Sequence, residues 1–192
     1  MKKSGTDHRT RLTKFLIRRA LLALMRKKPI QSISVKELCE LAGINRGTFY
    51  AHYRDVYDLL GSIEEEMLQD LKAAMQPVLE SDPSSLAPVK VTSALFRCVQ
   101  ENADLCTVTL GDFGDKTFLN KLTALGRDFC LSTYAKHYKN ASPRKIAIFY
   151  AFASSGCIGL LQNWLDDGMP VPAEEIARTA EEIMEKGAGF LE

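Results

Sequence analysis

Residues 34–60 read SVKELCELAGINRGTFYAHYRDVYDLL, and they decide the fold class because they spell a helix, a tight turn and a second short helix in consecutive signals. Ser34 followed by Glu37 fits a capping box, so a helix is predicted from Val35. Its apolar positions Val35, Leu38, Cys39 and Ala42 recur at three- and four-residue steps, leaving Lys36, Glu37 and Glu40 for solvent or phosphate. Gly43, free to adopt positive φ, ends it. Asn45 then caps a second helix, predicted over 46–53, in which Phe49 and Tyr53 share a core-facing side. Arg46, Thr48, Tyr50 and His52 fall elsewhere and are the candidate DNA-facing groups of a helix-turn-helix reader. An ordinary helical hairpin shares these caps, but Gly47 argues against it. In the first turn of a short helix a glycine costs roughly 1 kcal/mol relative to alanine. Close approach to a phosphate or base edge would account for it, as would tight packing on the preceding helix.

Residues 42–53, AGINRGTFYAHY, resemble the core of the DNA-binding domain of TetR/AcrR-family bacterial regulators, and Asp58-Leu59-Leu60 matches the helix that follows. The resemblance covers about the first third of the chain. It implies that Ser34 and Lys36 touch the DNA backbone, that Arg46 and Thr48 reach base edges, and that Tyr50 and His52 hold phosphates. Asn45 and Gly47 complete the set. Many relatives carry a phosphate-gripping lysine where this chain has Val56, and Arg54 stands as its substitute.

Charge points the same way without the motif. Residues 1–54 hold 13 Lys/Arg and 3 Asp/Glu, a balance of +10; the whole chain is +1, so residues 55–192 carry −9. A basic head on an acidic body suits a DNA reader, because phosphate neutralisation supplies much of the affinity while the remainder should not adhere to nucleic acid. Arg9, Arg11, Lys14, Arg18, Arg19, Arg26, Lys27 and Lys28 crowd the region just before the motif.

The remainder reads as a helical body. With 46% hydrophobic and 26% charged residues in 192, the composition is that of a globular protein. Helices are predicted over 7–27 (apolar stripe Leu12, Phe15, Leu16, Leu22, Met25), from the Asp55 cap to about Leu79, and over 88–102, 116–138, 143–166 and 173–186. Along the long connecting helix Leu60, Ile63, Met67, Leu71 and Met75 share one side. Residues 81–85, SDPSS, are a break, and no alternating strand pattern survives. The expected fold is therefore all-α: an N-terminal three-helix helix-turn-helix DNA-binding domain over 1–60, and a helical regulatory and dimerisation domain over 61–192. The basic N-terminus lacks a following apolar stretch with a cleavage site, so the expectation is a cytoplasmic protein. Five cysteines without a C-x-x-C pair read as reduced small hydrophobes.

Residues 146–165, IAIFYAFASSGCIGLLQNWL, contain no charge and are long enough to span a bilayer. Ser154, Ser155, Gln162 and Asn163 inside the run, and the lack of any second such stretch, argue for the centre of a soluble assembly and no membrane. The stretch also resembles the penultimate helix in a subset of TetR-like regulators, which implies an isologous homodimer built on it and on 173–186. Ser155, Gly156, Gly159, Leu160 and Trp164 are the candidate interface. A small-molecule effector pocket is expected from Met67, Leu71, Met75, Phe96, Phe118, Leu122, Phe129, Tyr150 and Phe152, whose competing reading is simple core.

Enzymatic chemistry finds no support. Of the three histidines, His8 and His52 lie in or near the basic head and His137 sits among lysines near a helix end. The Asp112-Phe113-Gly114 triplet lacks every other kinase signature, and neither metal-ligand spacing nor a dinucleotide loop is present. No cofactor is expected. The reading is a double-stranded-DNA-binding transcription regulator, a ligand-responsive repressor on a palindromic operator. The alternative is a helical small-molecule-binding or scaffold protein whose basic head does not read duplex DNA.

Overall fold

The computed structural model describes residues 3–79, 87–111 and 116–189. Among them the chain is all-α, without strands: α1 (Lys3–Met25), a 3-10 turn (Ile30–Ser32), α2 (Val35–Ala42), α3 (Arg46–Tyr50), α4 (Val56–Leu79), α5 (Ala87–Glu101), α6 (Ala103–Leu110), α7 (Lys116–His137), α8 (Pro143–Asp166) and α9 (Ala173–Ala188). The expected break at 81–85 and the Asp112-Phe113-Gly114 triplet lie outside the described residues. The described residues fall into two compact units, one within Met1–Glu66 and Val108–Gly114, the other within Met67–Thr107 and Asp115–Glu192.

The first unit closes on Ile17, Leu21, Leu38, Phe49 and Leu59, all essentially without solvent exposure. Burial on α1 runs Ile17, Ala20, Leu21, Leu22, Leu24, Met25. This departs from the expected stripe: Leu12 and Phe15 are 51% and 57% exposed, because they precede the segment of α1 whose side chains enter the core. Asp55 caps α4 as expected, its Oδ1 accepting from the amides of Tyr57 and Asp58 at 2.9 and 2.8 Å. On α4 the predicted face of Leu60, Ile63, Met67, Leu71 and Met75 is buried throughout.

The second unit packs α5 on α9 and α7 on α8. Ser93 Oγ donates to Glu181 Oε1 at 2.6 Å, and Arg97 pairs with Glu174 at 3.5 Å. Tyr134 of α7 meets Ile146 and Phe149 of α8 in one apolar cluster, with the Tyr134 and Phe149 rings 5.3 Å apart. α8 starts on a Ser142 cap with Pro143 in the first turn, and the chain turns out of it through Gly168 and Met169, both at positive φ. α6 has no counterpart in the predicted elements. It follows α5 after the single residue Asn102, whose carbonyl accepts from Leu105 and Cys106 while its side-chain amide donates back to Cys98 O at 3.0 Å. Cys39, Cys98 and Cys106 are buried free thiols and Cys157 is a half-buried one.

Candidate functional site

The reading head is built by local capping. Ser34 Oγ accepts from the Glu37 amide at 3.2 Å and starts α2, while the Glu37 carboxylate takes Lys28 Nζ at 2.6 Å and so ties the turn after α1 to α2. Gly43, at φ 68° and ψ 33°, closes α2: its amide bonds Glu40 O, and the next amide, of Ile44, reaches back to Cys39 O at 3.0 Å. That pair of bonds is a Schellman motif, and it sets the sharp turn between the two motif helices. Asn45 then caps α3, with Oδ1 accepting from the Thr48 amide at 2.8 Å. α3 proper ends at Tyr50, short of the expected residue 53. Turn-type bonds from the His52 and Tyr53 amides to Phe49 O carry the chain on.

Phe49 orients this helix. It is fully buried, with its ring 5.5 Å from Tyr50 and 5.8 Å from Tyr53, itself buried. With Phe49 inward, Asn45, Arg46 and Tyr50 are exposed and Thr48 and His52 half-exposed. Lys36, exposed on α2, lies 3.9 Å from Glu40, a pair that contributes little in water and leaves the ammonium for other partners. Arg54 donates to Asp58 from both its amide (2.9 Å) and its guanidinium (3.1 Å), which holds the Asp58 carboxyl below its ordinary range. The Arg54 side chain is 87% exposed all the same. Val56 is buried, so it offers nothing at the surface where relatives carry lysine. A Cβ on Gly47 would meet only Asn45 Oδ1, at 3.4 Å, so packing on the preceding helix is not what its bare backbone serves.

The residues expected to line a pocket do not stay together. Met67, Leu71, Met75, Phe96 and Phe118 are buried in the second unit, with Leu122 and Tyr150 partly so. Phe152 corrects the expectation: it is 79% exposed, one turn beyond the buried pair Ile146 and Phe149 of α8. The Phe129 side chain lies outside the described residues. Phe152 instead stands in an apolar groove of about 710 Å³ between α8 and α9, with Ile148, Gly156, Gly159, Leu160 and Asn163 on one wall and Ala180, Ile183 and Met184 on the other. Ser155, Gly156 and Gly159 are exposed, and a Cβ on either glycine would meet nothing within 4 Å. Trp164 is the second correction. It is buried within its own unit, 6.1 Å from the Phe96 ring, with its indole N–H donating to Val171 O at 2.9 Å, so it is unavailable to a seam. Ile148 and Ile183, which neither expected set included, are exposed beside Phe152 on this groove. α8 is also long and apolar enough by composition to cross a membrane. Among the described residues no cluster of His, Cys, Asp or Glu could hold a metal ion.

A capped helix pair with one helix presenting polar side chains over a buried phenylalanine, joined to a second all-helical unit, defines a helix-turn-helix transcription regulator. Comparison with known proteins agrees. Residues 88–186 match the TetR-type sequence family described as the transcriptional regulator C-terminal region, and the chain belongs to the TetR family of transcriptional regulators. An uncharacterized HTH-type transcriptional regulator of Bacillus subtilis (strain 168), YxbF, is 36% identical over 59 residues, which is 31% of this chain and only 16% of that relative's length. The fold is shared with NalD of Pseudomonas aeruginosa, the secondary repressor of the MexAB-OprM multidrug efflux pump (TM-score 0.69, 18% identity, 91% of this chain and 94% of that one). It is shared equally with FadR of Bacillus subtilis, solved in complex with stearoyl-CoA (TM-score 0.69, 13% identity, 88% and 96%).

Proposed function

We propose that this chain is a cytoplasmic, homodimeric, ligand-responsive repressor that reads a palindromic operator with α3 of each copy in successive major grooves. The observation that carries the reading is the orientation of α3: Phe49 fully buried, Arg46 and Tyr50 exposed, on a head of charge +10 over residues 1–54. Arg46 and Thr48 address base edges; Ser34, Lys36, Tyr50, His52 and Arg54 hold the backbone, and Gly47 lets the chain approach the duplex closely. Titrating Arg46→Ala and Lys36→Ala against specific and scrambled duplexes at several salt concentrations tests this division. Arg46→Ala should lose about 1–3 kcal/mol on the specific duplex alone. Lys36→Ala should weaken both duplexes and flatten the salt dependence. Equal losses from Arg46→Ala on both duplexes would remove it from base readout.

The groove on α8 and α9 supports pairing with a second copy. It is apolar, Gly156 and Gly159 leave room for a helix, and a surface of this kind can pair with itself about a two-fold axis. The effector belongs in the body, against Met67, Leu71, Met75, Phe96 and Phe118, a lining that suits an apolar molecule. Such a molecule switches the regulator only by binding two arrangements of the paired heads with different affinity. Titrating the operator complex with long-chain acyl thioesters and other apolar compounds tests this. A complex indifferent to all of them would leave the repressor without a ligand of that class.

A further inference from the structure

α1 has a second face that the core does not use. Ile17, Leu21 and Leu24 turn into the core of the first unit, whereas Leu12 and Phe15, roughly half a helical turn away from them, are 51% and 57% exposed. Those two are neighbours along the helix surface. Arg11, Arg18 and Arg19 each stand about one turn from Phe15 along the same face. Arg11 and Arg19 are exposed, and Arg18 is half-exposed and leans on Glu66 of α4 at 3.6 Å. From Arg9 to its end at Met25 the helix carries no Asp or Glu. The face is thus a phenylalanine and a leucine framed by guanidinium groups, and none of its residues belongs to the set assigned to DNA.

We propose that this face of α1 docks an acidic amphipathic helix of another protein, whose apolar side chains seat on Leu12 and Phe15 and whose carboxylates meet Arg11 and Arg19. An aromatic anchor inside a charged rim is the composition of a protein interface, where aromatic and arginine side chains are enriched. Leu12 and Phe15 form a short ridge that packs against the apolar row of a second helix, and guanidinium groups take carboxylates through paired hydrogen bonds. Charge decides what that helix must be. A head of +10 over residues 1–54 draws an anionic partner and repels a second head. Duplex DNA is anionic too, but a phosphate contact buries no apolar side chain, so Leu12 and Phe15 would contribute nothing to it. A bilayer surface takes up a helix through a broad apolar face, and α1 commits its broad apolar face to its own core.

The full chain should be titrated with a labelled synthetic helix that has leucine at alternating three- and four-residue steps and glutamate between them, read by fluorescence anisotropy. Phe15→Ser should weaken binding about tenfold, and Phe15→Leu, which keeps the anchor apolar, should weaken it far less. A peptide of the same charge with alanine in place of leucine should bind wild type no better than the leucine peptide binds Phe15→Ser. Phe15 is 57% exposed, so urea unfolding and operator affinity of both variants should match wild type. A leucine peptide that wild type does not bind, or that wild type and Phe15→Ser bind alike, would overturn the proposal. So would an alanine peptide bound as tightly as the leucine one, which would leave only the charge of the head. Vesicles of phosphatidylserine and phosphatidylcholine, light scattering of the chain alone and operator duplex serve as the other occupants. Binding or self-association in any of these that Phe15→Ser abolishes would assign the face to a membrane, a second copy or DNA instead.

Discussion

The Tyr150 hydroxyl of α8 donates to the Thr123 carbonyl of α7 at 2.6 Å, and it does so through the space that a side chain at residue 126 would occupy. A Cβ on Gly126 would stand 2.8 Å from that hydroxyl. Gly126 is thus the reason that α7 and α8 can be latched by a polar bond beside the Tyr134, Ile146 and Phe149 cluster.

Gly126→Ala sets two effects against each other. Alanine gains up to about 1 kcal/mol of helix propensity in α7, whereas displacing Tyr150 strands a partly buried hydroxyl at a cost of about 1–3 kcal/mol. We expect net destabilisation of about 1 kcal/mol in urea unfolding. Adding Tyr150→Phe should recover stability, because the hydroxyl that collides is gone. A Gly126→Ala protein at least as stable as wild type would show that the latch contributes nothing.

At Gly47 the opposite outcome is expected. An alanine there touches only Asn45 Oδ1, at 3.4 Å, so unfolding free energy should stay level or rise by up to about 1 kcal/mol. Operator affinity should nevertheless fall, since the added methyl keeps the backbone off the duplex. Urea unfolding and duplex titration of the same preparation separate the two. Unchanged affinity would mean that Gly47 does not approach DNA.

Legibility in the sequence followed whether the deciding signal was local. Ser34, Gly43, Asn45 and Asp55 declare helix ends through bonds to residues two to five positions away, so α2, the turn, and the starts of α3 and α4 could be read directly. α6 could not: Asn102 ends α5 and opens α6 at once, and with helix on both sides no interruption marks the junction. An asparagine followed by Ala103 and Asp104 was the available sign. On α8 the pattern was silent for a different reason. A helix apolar all round carries no contrast between faces, so whether Phe152 or Trp164 turns inward depends on tertiary neighbours: Tyr134 meeting Phe149 on one side and Phe96 receiving Trp164 on another. Hence the sequence does not separate Phe152, which is exposed, from Trp164, which is buried.

Burial pushes the Cys98 thiol up to about 11, with Asp70 and Glu101 adding to the shift and the Asn102 side chain opposing it. In the unfolded chain a thiol ionises near 9. The folded state therefore binds the proton more tightly, and this contribution to stability is complete below pH 9, then is lost as the pH rises from 9 to 11. Two pH units correspond to about 2–3 kcal/mol. Urea unfolding between pH 8 and 11 should show this loss in wild type and a shallower one in Cys98→Ala. Cys39, Cys157 and Tyr53, which burial shifts in the same direction, contribute to the remaining slope. Identical slopes in the two proteins would remove Cys98 as a source of the alkaline loss.

The proposed dimer seam can be tested where folding and pairing make different demands. Phe152 is 79% exposed in the single chain, so Phe152→Glu removes little intramolecular packing and should leave the helical circular dichroism and unfolding of a monomer close to normal. In a paired groove the same glutamate would be buried against Ile183 and Leu160 without a partner charge, a cost of several kcal/mol that is met twice in an isologous interface. Gly159→Arg would obstruct the same proposed seam by bulk, at a position where an added Cβ meets nothing within 4 Å. Light scattering at micromolar concentration should therefore give a dimer for wild type and a monomer for both variants. Operator affinity should fall far more than either single head-contact variant causes, because two half-sites are then bound independently and not by one linked pair. Trp164→Phe acts as the contrast. It breaks the indole bond to Val171 inside the second unit and should lower stability while leaving the dimer intact at concentrations where the chain is folded. If Phe152→Glu and Gly159→Arg both remain dimeric, the α8 and α9 groove is not the seam.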